Sequence, residues 1–362
     1  MTFHSHSRRP LAALVALPLL LGLAVACSSN SAAQQDQGPA SKVRVGYFAN
    51  VTHAVPVLGV ADGEFQKELG KTKLDTEIFN AGPAEVEALL SGAIDVAYLG
   101  PSPAINAFQK THGEAVRLIA GGASGGASLV VKPNITSIAD LKGKTVASPQ
   151  FGNTQDVALR AFLAAHRLKT DTTGGKDVTV LAQDNAQTLD LFRQGQVDGG
   201  WLPEPWASRL VVEAGAKTLV DERTLWPGGK FVTTNLLVSK KFLDQHPDTV
   251  EAILRAHVAT VDKITGDTAW AKATLNAELK KLTGKPLSDA VLTPALANLT
   301  VGWDPYAATL KESAEHAVTA GTAKSVPDLK GIYALTLLNK VLQAAGKQPV
   351  SADGLDGGGN GT

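Results

Sequence analysis

Two turns in the sequence carry residues suited to binding a small anion. In residues 92–104, GAIDVAYLGPSPA, an apolar stretch ends at Gly100-Pro101, and Ser102 before a second proline predicts a helix start. In residues 151–156, FGNTQD, Asn153 followed three residues later by an Asp indicates another helix N-terminus. Free backbone N–H groups and the positive end of the helix dipole attract oxyanions there. Unless these residues only cap helices, we expect ligand contacts from Gly100, Pro101, Ser102, Gly152, Asn153 and Thr154.

Further candidates lie in other turns and loops. His53 shares a turn with Asn50 and would donate to an anion, either when protonated or through a ring N–H when neutral. The alternative for His53 is a structural role. A loop of small residues leaves room for a ligand beside Ser124 and Gly125, and Asn235 lies in a later extended segment. We predict that these residues also contact the ligand.

Two larger side chains complete the predicted site. Trp201 either forms an apolar wall of the pocket against an alkyl chain, together with Phe151, or is buried in the core. Glu204 either caps the helix that follows it, which we favour, or meets a cationic group of the ligand such as the ammonium of taurine.

The turn at residues 92–104 is echoed at residues 195–207, GQVDGGWLPEPWA. Both stretches follow a segment with helical apolar spacing that stops at a Gly, as a helix C-terminus does. Each unit therefore predicts a helix, a Gly cap, a buried strand, a turn and a new helix. Two such units facing each other would form a cleft lined by strand ends and helix N-termini.

The order of predicted elements indicates an α/β protein with two lobes. Strands at 43–47, 74–79 and 95–99 alternate with helices, which predicts a parallel sheet, and the alternation restarts after Lys132. The chain is expected to enter lobe two near Val131 and to leave it near Asn235, where two crossing strands form a hinge. The predicted domains are lobe one at 42–130 and 237–347, with a helical C-terminal part, and lobe two at 131–236.

The termini have their own signals. An apolar run at residues 11–26 is too short to span a membrane and predicts a signal peptide at 1–26. Cys27 is the only cysteine of the 362 residues, and LAVAC resembles the lipobox of bacterial lipoproteins, in which this cysteine is lipidated. A plain signal peptide is the alternative. Residues 27–41 predict a flexible tether, and residues 348–362 predict a disordered tail.

Composition and motifs exclude several function classes. The 34 basic and 34 acidic residues balance, which argues against nucleic acid as a partner. No phosphate-binding loop, nucleophile elbow or metal-ligand spacing occurs in the sequence. We therefore expect a binding protein without enzymatic activity, cofactor or metal.

Five motifs together resemble the solute-binding proteins of ABC importers for nitrate, sulfonates and taurine. They are RVGYFANVTHA, GAIDVAYLGPSPA, IADLKGKTVASPQFGNTQD, GQVDGGWLPEPWAS and TTNLLVSKKFLDQHPD. The resemblance implies a type II periplasmic-binding-protein fold, in which two lobes, each with a central mostly parallel sheet flanked by helices, are joined by a two-strand hinge. The aliphatic sulfonate-binding branch is the most similar.

That resemblance also implies a function and partners. The expected protein is a monomer that captures an aliphatic sulfonate between its lobes and delivers it to an ABC permease with its ATPase subunit. It would be secreted and lipid-anchored to the outer face of the cytoplasmic membrane. The alternatives are nitrate or taurine binding, or a protein that binds or makes a thiamine-precursor pyrimidine.

Overall fold

The computed structural model describes residues 37–173 and 175–357. The predicted signal peptide and the predicted lipid site at Cys27 lie outside the described residues. The strands in these ranges are β1 (Lys42–Phe48), β2 (Lys73–Phe79), β3 (Val96–Leu99), β4 (Val116–Gly125), β5 (Ala127–Val131), β6 (Thr145–Ser148), β7 (Thr179–Ala182), β8 (Gly199–Pro203), β9 (Lys217–Asp221), β10 (Val232–Ser239) and β11 (Leu299–Val301). The helices are α1 (Ala54–Ala61), α2 (Glu64–Leu69), α3 (Gly82–Ser91), α4 (Pro101–Lys110), α5 (Thr154–Ala165), α6 (Asn185–Arg193), α7 (Trp206–Ala214), α8 (Lys240–Gln245), α9 (Pro247–Gly266), α10 (Thr268–Thr283), α11 (Asp289–Ala297), α12 (Ala308–Thr319) and α13 (Thr336–Ala344).

The strands form two mixed sheets flanked by helices. The first sheet has the order β11-β4-β10-β3-β1-β2, with β1 parallel to β2 and β3, and β10 antiparallel to β3 and β4. The second sheet has the order β7-β6-β8-β5-β9, with β6 parallel to β7 and β8, and β5 antiparallel to β8 and β9. The parallel neighbours are joined by helical crossovers, as the alternating pattern predicts. The predicted α/β fold is therefore confirmed, although the sheets are mixed where the sequence predicts mostly parallel ones.

The echoed units occupy equivalent places in the two sheets. α3 ends at Ser91, and its cap Gly92 has a φ of 77°, a left-handed conformation that favours glycine. Gly195, after α6, has a φ of 76°. The strands that follow, β3 and β8, are buried along their whole length because helices cover both faces. The sequence prediction of helix, Gly cap, buried strand and new helix is confirmed in both places.

The chain crosses between the sheets earlier than the sequence predicts. β4 ends at Gly125 in the first sheet and β5 starts at Ala127 in the second, while the return lies between β9 and β10. Val131 is thus the last residue of a second-sheet strand, and Asn235 pairs inside the first sheet. The crossings therefore lie a few residues before Val131 and before Asn235, the positions near which the sequence predicts them. At the first crossing the strands on both sides are buried, so the pattern of buried residues does not mark it.

The C-terminal helices cover the first sheet and also reach the second. α9 packs against α1, α2 and α13, in agreement with the predicted helical part of lobe one. α11 packs against α7, and α12 packs against both α4 and α5. These two helices therefore contact helices that flank either sheet. Among the described residues, none of the helices is both long enough and apolar enough for a membrane span.

Candidate functional site

The carboxyl ends of strands from both sheets meet around one narrow cleft, whose free volume is about 20 Å³. Asn80 follows β2, Gly100 follows β3, and Asn185 follows β7, and each lies at or just before the start of a helix. Ligands of open α/β sheets bind at this position, beyond the carboxyl ends of the strands. The full lining of the cleft consists of Phe48, Asn50, Thr52, His53, Asn80, Gly100, Asn153, Thr154, Gln155, Asn185, Pro203 and Thr233.

Several predicted site residues line this cleft, and others do not. Those in the lining are Asn50, His53, Gly100, Asn153 and Thr154. Those outside it are Pro101, Ser102, Ser124, Gly125, Gly152, Trp201, Glu204 and Asn235.

The N-termini of α4 and α5 face each other across the cleft. The Ser102 N–H donates to Thr154 Oγ1 at 3.4 Å, and the Gly82 N–H at the start of α3 donates to Asn153 Oδ1 at 3.4 Å. A side chain at Gly100 would collide with Thr154, so glycine permits this close approach. Helices from the first and second sheets thus direct their positive ends toward the same space.

The helix boundaries correct two details of the predicted turns. α4 begins at Pro101 with Gly100 as its N-cap, so Ser102 is an early helical residue and not the cap. Its side chain lines a different cavity, together with Gly152 and the exposed Phe151. Asn153 is the N-cap of α5, as predicted. Asp156, the expected capping-box partner of Asn153, instead accepts a hydrogen bond from the Gly152 N–H at 3.0 Å.

His53 is a neutral hydrogen-bond donor. The Phe48 N–H donates to His53 Nδ1 at 3.2 Å, and the two rings stack with centroids 4.2 Å apart. Burial lowers the pKa of His53 to about 3, because a charged imidazole is poorly solvated there. Since Nδ1 accepts, the ring proton is assigned to Nε2. Of the two protonation states that the sequence left open, the structure supports the neutral one.

Amide and hydroxyl groups make up the remaining polar lining. Asn50 Oδ1 accepts from the Trp206 indole at 2.9 Å, which connects the turn after β1 to α7. Asn185 is buried, and its Oδ1 has no hydrogen-bond partner among the described residues. The lining residues include no Lys, Arg, Asp or Glu. The cleft therefore offers a ligand neutral dipoles and helix ends in place of a fixed opposite charge.

Trp201 belongs to the core and not to the cleft. Its side chain is fully buried, and its Nε1 donates to Glu222 Oε2 at 2.7 Å. Its ring packs against Phe162, with centroids 5.2 Å apart. Successive strand residues face opposite sides of a sheet, and Trp201 faces away from the cleft. The core alternative for Trp201 is the one that the structure supports.

Glu204 has the capping role that the sequence analysis favours. It is 1% exposed, and its carboxylate accepts from the Ser208 N–H at 3.1 Å in the first turn of α7. It also accepts from Asn298 Nδ2 at 2.8 Å. Burial raises the pKa of Glu204, and these hydrogen bonds oppose that increase. Its oxygens are directed to these partners, so Glu204 is absent from the cleft lining.

The other outlying predictions lie at the crossing from β4 to β5 or inside the first sheet. Ser124 Oγ accepts from the Phe231 N–H at 3.3 Å, and Gly125 is the last residue of β4. Asn235 is fully buried in β10, and neither atom of its amide has a partner in the part of the chain that the structure describes. These residues therefore lie outside the lining of the cleft.

Seven of the twelve lining residues are absent from the site predicted from the sequence. Asn80 and Asn185 show the same pattern as the predicted turns, a polar residue between a strand and a helix, and this signal could have found them. Thr233 is the second residue of β10, and its place depends on how β10 returns to the first sheet. The missed residues are Phe48, Thr52, Asn80, Gln155, Asn185, Pro203 and Thr233.

Comparison with known proteins gives consistent matches over most of the chain. Residues 36–277 match the model of the NMT1-like family. The taurine-binding periplasmic protein of Escherichia coli K12 is 31% identical over 256 residues, which are 70% of this chain and 76% of that protein. The putative aliphatic sulfonates-binding protein of Bacillus subtilis 168 is 24% identical, covering 91% of this chain and 96% of that protein. In structure, the alkanesulfonate-binding protein SsuA of Xanthomonas axonopodis pv. citri, bound to MOPS, aligns with a TM-score of 0.64 and 23% identity over 79% of this chain and 94% of SsuA.

Proposed function

The chain belongs to the NMT1-like family, and on that premise we propose that it is the extracytoplasmic solute-binding component of an ABC importer. Its cleft captures a small organic sulfonate between the two sheets and presents it to a permease with its ATPase subunit. The relatives described above are named as binding proteins, in agreement with capture of the ligand without turnover.

The proposal depends most on one feature, the meeting of the α4 and α5 N-termini in a cleft without charged side chains. A sulfonate has three oxygens that accept hydrogen bonds, and it keeps its charge over the whole physiological pH range. Backbone N–H groups, the Thr154 hydroxyl and the Nε2–H of His53 are donors that match such an anion. No proton transfer is needed for binding.

The apolar part of the lining favours an organic anion over nitrate. Phe48 and Pro203 take the role that the sequence analysis gave to Trp201 and Phe151. They offer apolar surface to a short alkyl chain, and each buried methylene adds up to about 0.8 kcal/mol.

Taurine is a second candidate, because of Asn185. Its buried Oδ1 lacks a partner among the described residues, and an unpaired buried acceptor is costly. The ammonium group of an aminosulfonate would donate to it, whereas an unsubstituted alkanesulfonate would not.

Calorimetric titration with nitrate, sulfate, taurine and the ethane- to hexanesulfonates tests the proposal. We expect sulfonates to bind more tightly than nitrate or sulfate, and Asn185→Ala to weaken taurine selectively relative to ethanesulfonate. Preferred binding of nitrate, or binding of a thiamine-precursor pyrimidine without any sulfonate, would contradict the proposed ligand.

We also propose that the protein is a monomer, held at the outer face of the cytoplasmic membrane by a lipid on Cys27. The motif LAVAC and the polar residues that follow it support this anchor. Cys27→Ala should move the protein into the soluble fraction. Unchanged membrane retention would contradict the anchor.

A further inference from the structure

A second cavity lies behind the Trp201 face of the second sheet, and none of its lining residues lines the cleft. Its free volume is about 270 Å³, just below the usual range of small-molecule sites. It is bounded by α5, β8, α12 and the turn Glu222–Leu225. We call it the aromatic cavity, and its lining is Ala158, Ala161, Phe162, Ala165, His166, Trp201, Glu222, Leu225, Trp226, His316 and Thr319.

The shape of the aromatic cavity follows from its residue types. Three alanines of α5 leave space along one side, where larger side chains would fill it. Aromatic rings form other parts of the wall. Phe162, also on α5, lies 5.2 Å from Trp201, and Trp226 lies 5.4 Å from His316, measured between ring centroids. The faces of such rings attract cations as well as apolar groups.

One carboxyl group lies among these rings. Glu222 is 3% exposed, and its Oε2 accepts from Trp201 Nε1 at 2.7 Å. Each carboxylate oxygen has two lone pairs, so acceptor capacity remains after this bond. Burial raises the pKa of Glu222 to about 7, while hydrogen bonds from the indoles of Trp201 and Trp226 oppose the increase. A bound cation would stabilise the ionised form of this group.

The charges around the aromatic cavity favour a positive ligand. Its lining contains no Lys or Arg, and burial lowers the pKa of His316 and so favours its neutral form. Arg223, next to Glu222, is paired with Asp221 at 2.6 Å. The titratable and charged groups near Glu222 on the surrounding elements are Asp221, Arg223, His166 and His316.

From this geometry we infer that the aromatic cavity is a second binding site, for a small aromatic amine whose ring packs against Phe162 and Trp226 and whose ammonium group pairs with Glu222. This site takes a cation, whereas the proposed ligand of the cleft is an anion. The two sites are therefore independent in both lining and charge.

The test compares 2-phenylethylammonium with its neutral analogue 2-phenylethanol, on the full chain with the cleft saturated by ethanesulfonate, which has no ammonium group. Quenching of tryptophan fluorescence reports binding. We expect the amine to bind about tenfold more tightly than the alcohol, from cation–π attraction and the carboxylate. In Glu222→Gln the two affinities should become similar, because an amide still accepts from Trp201 but carries no charge.

A substitution that blocks the aromatic cavity tests whether the amine binds there. Ala165 is exposed at the mouth of the cavity, so Ala165→Trp should block amine binding without disturbing the core. Its neighbour Ala164 is also exposed but is not part of the lining, and Ala164→Trp is the matched control.

The pH dependence gives a further readout. Between pH 6 and pH 8 the amine stays charged while Glu222 ionises, so amine affinity should rise in the wild type and not in Glu222→Gln. Equal affinities for amine and alcohol, no binding at millimolar amine, or insensitivity to Ala165→Trp would each overturn the inference.

Discussion

At the scale of single residues, two side-chain hydrogen-bond donors of the cleft, Thr154 and His53, are fixed in place by different neighbouring groups. Thr154 presents its hydroxyl from the first turn of α5 and accepts from the Ser102 N–H at 3.4 Å, so it lies where both helix N-termini meet. His53 is fixed by the Phe48 N–H and the Phe48 ring. Replacing either Thr154 or His53 should have a measurable effect.

Thr154→Val removes a hydroxyl from the centre of the cleft while keeping the side-chain shape. A hydrogen bond to a charged group contributes about 1.5–3 kcal/mol, so affinity for ethanesulfonate should fall by about tenfold or more. Calorimetric titration measures the change. Ser102→Ala is the control, since its side chain lines another cavity and we expect no loss of affinity. Equal effects of the two substitutions would contradict the assignment of donors.

The buried histidine makes stability depend on pH. The pKa of His53 is lowered to about 3 from 6.5, so the unfolded state binds more protons below pH 6.5 and stability falls as the pH decreases. Between pH 7 and pH 5 this loss is about 2 kcal/mol. His53→Gln should therefore lose about 2 kcal/mol less than the wild type over this interval.

Urea unfolding at the two pH values measures the difference. Glu222, with its pKa raised to about 7, acts in the opposite direction, because its folded form binds a proton as the pH falls. That contribution is common to wild type and variant and cancels in the comparison. The same pH dependence in both proteins would show that His53 is not buried in its neutral form.

Residue-level prediction from sequence succeeded where chemistry and position share a local signal. Asn153 is both a capping residue and a cleft residue, and the sequence shows it. The sequence could not show on which side of β8 Trp201 lies. Alternation along a strand places Trp201 and Leu202 on opposite faces, but it does not tell which face borders the cleft. That choice depends on the helices that pack on each face.

At the scale of elements, short glycine-containing links decide how the sheets are joined. Gly125 and Gly126 have φ angles of 77° and 74°, which allow β4 to pass into β5 of the other sheet. Sequence periodicity gave the strands themselves but not this transition, because both strands are apolar and buried. The packing of α11 and α12 against helices of the second sheet also could not be predicted from the sequence, because amphipathic spacing does not identify the partner of a helix.

Gly126→Ala should destabilise the protein by about 1 kcal/mol or more, because a left-handed conformation is strained for an L residue. A Cβ at this position would also lie 3.1 Å from Leu299 Cβ and 3.2 Å from Thr52 Cγ2. Urea unfolding measures the loss of stability. Gly266→Ala, in the last turn of α9 with open space around it, is the control and should be neutral or stabilising. A neutral Gly126→Ala would contradict the role of this link.

At the scale of the whole molecule, side chains and backbone connect the two halves across the cleft. The Trp206 indole donates to Asn50, and the Thr52 N–H donates to the Glu204 carbonyl at 3.4 Å. α12 packs against α4 and α5, which flank different sheets. Opening of the cleft would break these two hydrogen bonds. It would also require α12 to slide against α4 or α5. The links at Gly126 and at residues 222–231 are our proposed hinge.

A closing hinge predicts that a ligand compacts the protein. Saturating sulfonate should reduce the radius of gyration measured by small-angle scattering and raise the melting temperature, because the ligand binds the closed state preferentially. Nitrate at the same concentration serves as the comparison. Scattering curves that do not change while the melting temperature rises would indicate a rigid site instead of a hinge.

The most direct measurement of the central claim is a crystal structure of the protein with ethanesulfonate. Our account predicts that the sulfonate oxygens lie within hydrogen-bond distance of backbone N–H groups at the starts of α4 and α5 and of Thr154 Oγ1, with the ethyl group toward Phe48 and Pro203. A sulfonate bound elsewhere, or bound in the cleft through a Lys or Arg side chain, would contradict it.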